Sequence, residues 1–167
     1  MPKGRKPEPQ KRIGKNERKK LNAVIKAIKN HKVFHDQKKE HETRFNDRLR
    51  HSLRQKNFEV INKGASVTFV GETFRPEFYV PNGSGELFCA IECKRLTEAY
   101  AKPRWKEGLS QAVIYSILYK AVILVLYDYT KDGKYKKKFG AGNKAESRFV
   151  SALRESNVYI VVIRPES

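Results

Sequence analysis

Arg75-Pro76-Glu77-Phe78-Tyr79-Val80, a turn at Pro81-Asn82-Gly83-Ser84-Gly85, and Leu87-Phe88-Cys89-Ala90-Ile91-Glu92-Cys93-Lys94 read as two strands of one hairpin. Side chains alternate faces along a strand, so Cys89, Ile91 and Cys93 form one row and Ala90, Glu92 and Lys94 the other. The first row is apolar and predicts core. The second sets an acid and an amine side by side where a half-buried strand normally shows neutral residues. A buried charge is costly unless it is paired or holds a metal. The pattern therefore asks for a chemical reason.

The surrounding chain is 167 residues with a formal net charge of +18 and a pI near 10.0. That length suits one domain with a real core. The charge favours polyanionic partners, nucleic acid first, RNA included, and an anionic membrane surface second, and disfavours an ordinary small-metabolite enzyme. No stretch reaches transmembrane length and the N-terminus is too polar for a secretory signal, so no membrane role is expected. Cys89 and Cys93 read as small buried side chains in a reducing compartment, cytoplasmic or nucleoid, because a disulfide four residues along one strand is awkward.

Ten of the eighteen net positive charges fall in residues 1–40. Residues 1–36 are expected to hold a disordered basic arm (1–15) and an amphipathic helix from about Asn16 to Asn30, its apolar stripe being Leu21, Val24, Ile25 and Ile28. Residues 37–167 form the expected main domain. A helix is predicted from Gln37 to Lys56 on the stripe Phe45, Leu49, Leu53, with Asn57 as a left-handed cap. Strands follow at Phe58–Ile61, Ser66–Val70, Arg75–Val80 and Leu87–Lys94, then a helix from Trp105 to Lys120. Ala121–Tyr127 lacks alternation and predicts a strand covered on both faces. A basic loop, Lys131–Gly142, a helix from Lys144 to Arg154 and a strand Val158–Ile163 complete an α/β fold, a mixed sheet flanked by helices. Gly140-Ala141-Gly142-Asn143 reads as a helix-entry loop capped by Asn143. The histidines His31, His35 and His41 with Asp36 read as a solvated basic segment rather than a zinc site.

Two further polar residues stand on apolar stripes: Glu42, three before Phe45, and Gln111, three before Ile114 and four before Tyr115. Each alone has a plain structural explanation, a first-turn acid and a satisfied core amide. With Glu77, Glu92 and Lys94 they make a set. That set, Glu42 on a helix, Pro76-Glu77, then Glu92-Cys93-Lys94, resembles the PD-(D/E)XK, or restriction-endonuclease-like, nuclease superfamily. Gln111-Ala112-Val113-Ile114-Tyr115 further resembles the Q-x-x-x-Y motif of RecB-type members, and the helix–strand entry resembles archaeal Holliday-junction resolvases. The resemblance covers roughly Glu42 to Tyr127. This chain has Glu77 where the family usually has Asp, which carries the carboxylate farther from the backbone.

The resemblance implies an α-β-β-β-α-β core and Mg²⁺-dependent (or Mn²⁺-dependent) hydrolysis of DNA phosphodiesters. It further implies Glu77, Glu92 and the main-chain carbonyl of Cys93 as metal ligands, and Lys94, Glu42 and Gln111 as their catalytic companions. Phosphate contacts are expected from Arg12, Lys15, Arg18, Lys19, Arg75, Arg95, Lys136 and Lys137, with Tyr115 placed beside them. A junction- or flap-selective endonuclease of repair or recombination is the leading expectation, as a monomer or homodimer. A restriction or homing-type nuclease and a non-catalytic nucleic-acid binder on the same fold stay open.

Overall fold

The computed structural model describes residues 12–83, 86–139 and 144–166, with only the backbone of His35 and of residues 144–146. Most of the expected arm, the tip of the hairpin turn and the Gly140–Asn143 loop lie outside the described residues.

Among the described residues five α-helices and seven strands follow one another as α1 (Lys15–Lys29), α2 (Glu42–Gln55), β1 (Ile61–Asn62), β2 (Val67–Phe69), β3 (Glu72–Phe74), β4 (Phe78–Asn82), β5 (Glu86–Leu96), α3 (Ala101–Tyr115), β6 (Ala121–Asp128), α4 (Lys134–Phe139), α5 (Lys144–Glu155) and β7 (Val158–Ile163). The main sheet has the order β1-β4-β5-β6-β7. β4 runs antiparallel to β5, whereas β5, β6 and β7 are mutually parallel. β2 and β3 make a separate small hairpin whose tip, Val70-Gly71, has both residues at positive φ, 51° and 78°.

Two apolar layers hold the sheet. On one face Leu21, Val24 and Ile28 of α1 and Phe45, Leu49 and Leu53 of α2 pack on Cys89, Ile91, Cys93, Ile123 and Val125. On the other, Ala112 and Tyr115 of α3 and Leu153 of α5 pack on Ala90, Leu96, Val122 and Leu124. The two rows expected on β5 thus face opposite layers, and every residue of β6 is buried. α1 belongs to this core, and position 36 falls within a 3₁₀ turn, His35–Lys39, that joins it to α2.

Several expected boundaries are corrected. α2 begins at Glu42 rather than Gln37, because residues 34–40 are tied elsewhere. Tyr129 donates its hydroxyl to the Phe34 carbonyl at 2.9 Å, and the Arg95 guanidinium donates to the carbonyls of Lys38 and Glu40. α3 spans Ala101–Tyr115 rather than 105–120. Pro103 is tolerated in its first turn, and bonds from Ile117 N to Ile114 O and from Leu118 N to Tyr115 O tighten and end it. The basic loop is interrupted by α4. Asp128 accepts the N–H groups of Tyr135 and Lys136, each at 3.0 Å, which satisfies the orphan donors of a lysine-rich turn. Asn57 does take the left-handed conformation at the end of α2, φ 62°. His31 is buried, 9% exposed, rather than solvated, and its pKa is pushed down to about 4 by burial and by Lys56 and Arg48.

Candidate active site

Alternation on β5 sends Glu92 and Lys94 under α3, where they are 2% and 4% exposed. Their closeness is local: residues two apart on a strand share a face. Lys94 Nζ lies 2.8 Å from Glu92 Oε1 and 3.3 Å from Glu107 Oε1. α3 comes this near because residue 108 is glycine. A Cβ there would meet Lys94 Cγ at 2.7 Å and Leu124 Cδ1 at 2.8 Å. Gly108, Gln111 and Tyr115 form one stripe of α3 over this part of the sheet.

Glu77 precedes β4 by one residue. Phe78 pairs with Ile91, so one more step of the same register sets Glu77 opposite Glu92. Lys63 N donates to the Glu77 carbonyl at 3.3 Å, which prolongs the ladder on the other side. The Glu77 side chain is exposed. Glu42, the first residue of α2, reaches the end of β5. Its Oε2 accepts from the Arg95 N–H at 3.1 Å, and Arg104 Nη2 donates to both its oxygens at 2.6 and 2.5 Å.

The electrostatics tie these groups together. Burial raises the Glu92 carboxyl to about pKa 7; Lys94 opposes that rise, and the negative charges of Glu77 and Glu42 add to it. For Lys94, burial alone would lower the pKa, but Glu92, Glu42 and Glu107 outweigh it and hold the amine charged above its usual range. Tyr115 is raised by burial and then by the charges of Glu92 and Glu77. Under α3, Glu92 Oε2 and Gln111 Oε1 are buried acceptors with no hydrogen-bond partner. An unpartnered carboxylate oxygen and amide oxygen in a dry site suit a hard cation.

The remaining expected residues are placed as follows. Among the described residues no three His, Cys, Asp or Glu side chains gather in a group able to hold a metal. Glu42 is committed to Arg104 and to the backbone of β5, so it is a positioning acid here. The Cys93 thiol lies in the opposite, apolar layer as expected and is raised by burial, so its carbonyl remains the atom expected as a ligand. Tyr115 is 1% exposed and cannot touch nucleic acid, and the Arg95 guanidinium is folded back on two carbonyls. Arg12, Lys15, Arg18, Lys19, Arg75, Lys136 and Lys137 are all exposed.

Arg104 and Glu107 were missed. They pair with each other at 2.8 Å and link Glu42 to Lys94. Their three-residue helical spacing is visible in the sequence but reads as an ordinary surface ion pair. Comparison with protein-family models, curated proteins and solved structures finds no match to this chain.

Proposed function

We propose that the protein is a metal-dependent DNA endonuclease of the restriction-endonuclease-like fold, selective for branched or flapped substrates. The observation that carries this reading is the buried Glu92–Lys94 pair, with an unpartnered Glu92 oxygen and Glu77 in register across the strand. The succession α2, β1, β4, β5, α3, β6, with β4–β5 antiparallel and β5–β6 parallel, supports the fold part of it.

Glu77, Glu92 and the Cys93 carbonyl would hold the cation. Bound there, Mg²⁺ or Mn²⁺ would polarise the scissile phosphate and acidify a water. The chain's own groups do the rest. Burial raises the Glu92 carboxyl to about 7, so it would have to give up a proton to take a ligand role. Lys94, kept as an ammonium, faces the negative charge that grows on the phosphoryl oxygens. Arg104 and Glu42 fix the end of β5, and Tyr115 excludes water beneath α3.

A second reading is a non-catalytic nucleic-acid binder. It is favoured by the same ion pairs, since Arg104 neutralises Glu42 and Lys94 neutralises Glu92. Incubation of the purified protein with branched, flapped, single-stranded and duplex DNA, with Mg²⁺, Mn²⁺ or EDTA, separates the two. Cleavage dependent on the metal, lost by more than about 10³-fold in Glu92→Ala (about 4 kcal/mol of barrier) with binding retained or tighter, is the expected result. Equal nicking by Glu92→Ala, or binding without cleavage of any substrate, would remove the hydrolase.

A further inference from the structure

β7 ends the sheet order, so among the described residues one edge of its backbone has no neighbouring strand. Three adjoining cavities, about 550, 490 and 410 Å³, run along that edge, and Lys29 lines all three. One wall is α1, with Arg18 and Lys29. The other is α4 and α5, with Lys136, Phe139, Val150 and Arg154. Ile160–Val162 lie between them. Near the end of β7, Lys32 and Arg164 add two more cations. Residues as far apart in sequence as Arg18 and Arg164 thus converge on one groove.

The cations are available. Among the described residues Lys29, Lys136 and Arg154 form no ion pair, and the one acid in the lining, Glu166, is paired with Lys32 at 3.1 Å. Arg18 is aimed by its 2.9 Å bond to the Tyr159 hydroxyl. A second copy of the chain would bring the same charges edge to edge, and residues before Arg12 are themselves basic. An acidic peptide added as a further strand would have to be a run of acids to meet both walls, and such runs are poor strand formers. A stiff duplex rests on the rims. A single strand fits: its phosphates meet the walls while its bases lie on Phe139, Val150 and Ile160.

We infer that this groove is a second nucleic-acid site that holds a single-stranded segment, the arm of a flapped or branched substrate. The inference rests on the polyanion-binding part of the proposed function and not on the chemistry of Glu92.

Anisotropy of labelled oligothymidylate and oligouridylate, measured in EDTA with the full chain, tests it. The triple variant Lys29→Gln, Lys136→Gln, Arg154→Gln alters exposed side chains only, and circular dichroism checks its fold. Its single-strand affinity should fall by about tenfold or more, with the salt slope reduced by about 2; duplex affinity should change far less. Crosslinks from an iodouracil-substituted strand should map to β7 and α5. The stronger-bound of the two oligonucleotides names the sugar. Equal loss for duplex and single strand, unchanged single-strand binding, or displacement by polyglutamate in preference to oligonucleotide would overturn it. Failure of the nuclease reading shows differently, as absent cleavage with this binding intact.

Discussion

Glu92 and Asp128 are buried carboxylates on neighbouring parallel strands, and the fold treats them in opposite ways. Asp128 receives donors on both oxygens: Thr130 N at 3.1 Å, Thr130 Oγ1 at 2.5 Å, and the N–H groups of Tyr135 and Lys136. Glu92 receives Lys94 on one oxygen and nothing on the other, and two further acids act on it. A buried acid that is fully bonded holds structure together. One left short of partners and pushed toward neutrality works against folding and is a candidate for chemistry.

Paired substitutions test that contrast. Asp128→Ala should lower stability by about 3 kcal/mol or more, seen as a shifted urea midpoint, because four donors lose their acceptor. Whatever remains folded should keep its cleavage rate. Glu92→Gln should lose cleavage as Glu92→Ala does while folding at least as well as the parent. A marked stability loss in Glu92→Gln would erase the distinction between the two acids.

The next effect is on pH. The folded carboxyl of Glu92 titrates near 7, above its ordinary value, so its contribution to stability declines as pH rises from about 4.5 to 7, by on the order of 3 kcal/mol. His31 runs the other way. Its folded pKa is depressed to about 4, so stability is lost as pH falls from about 6.5 to 4, again on the order of 3 kcal/mol. The two slopes offset each other in the parent protein between about pH 4.5 and 6.5. Glu92→Gln should therefore unmask a steep acid loss that urea titrations in EDTA will reveal. A curve parallel to the parent's would mean that Glu92 ionises normally.

Gly108→Ala should have the smallest effect on the cleavage rate, about tenfold, and should lower the melting temperature as well. The added methyl would meet Lys94 Cγ at 2.7 Å and Leu124 Cδ1 at 2.8 Å, both buried, so α3 must lift from the sheet or both side chains must shift. An unchanged rate would show that the position of α3 over Lys94 does not matter to cleavage.

The rows of β5 were legible because strand alternation is rigid: Cys89, Ile91 and Cys93 against Ala90, Glu92 and Lys94 needed no tertiary information. The stripe of α1 and the doubly covered β6 were legible for the same reason. What escaped depends on distant partners. Glu42 looked like a free acid because Arg104, its partner, is 62 residues away. Asp128 ends an apolar strand and gives no hint that it caps α4. The start of α2 was misplaced because bonds from Arg95 and Tyr129 hold residues 34–40 outside the helix. Val70 was read as the last residue of a strand because a β-branched residue at positive φ runs against every local preference.

The open side of β7 also bears on how the protein behaves in concentrated solution. Among the described residues no strand pairs with the outer edge of these six mostly buried, β-prone residues, and such an edge is the template on which strands from other molecules stack. Lysines and arginines around that edge keep like molecules apart, but only through space and only while the field reaches. With a Debye length of about 3 Å at 1 M salt the guard is gone. Storage at high ionic strength, the usual remedy for a sticky basic protein, should here promote clumping rather than prevent it.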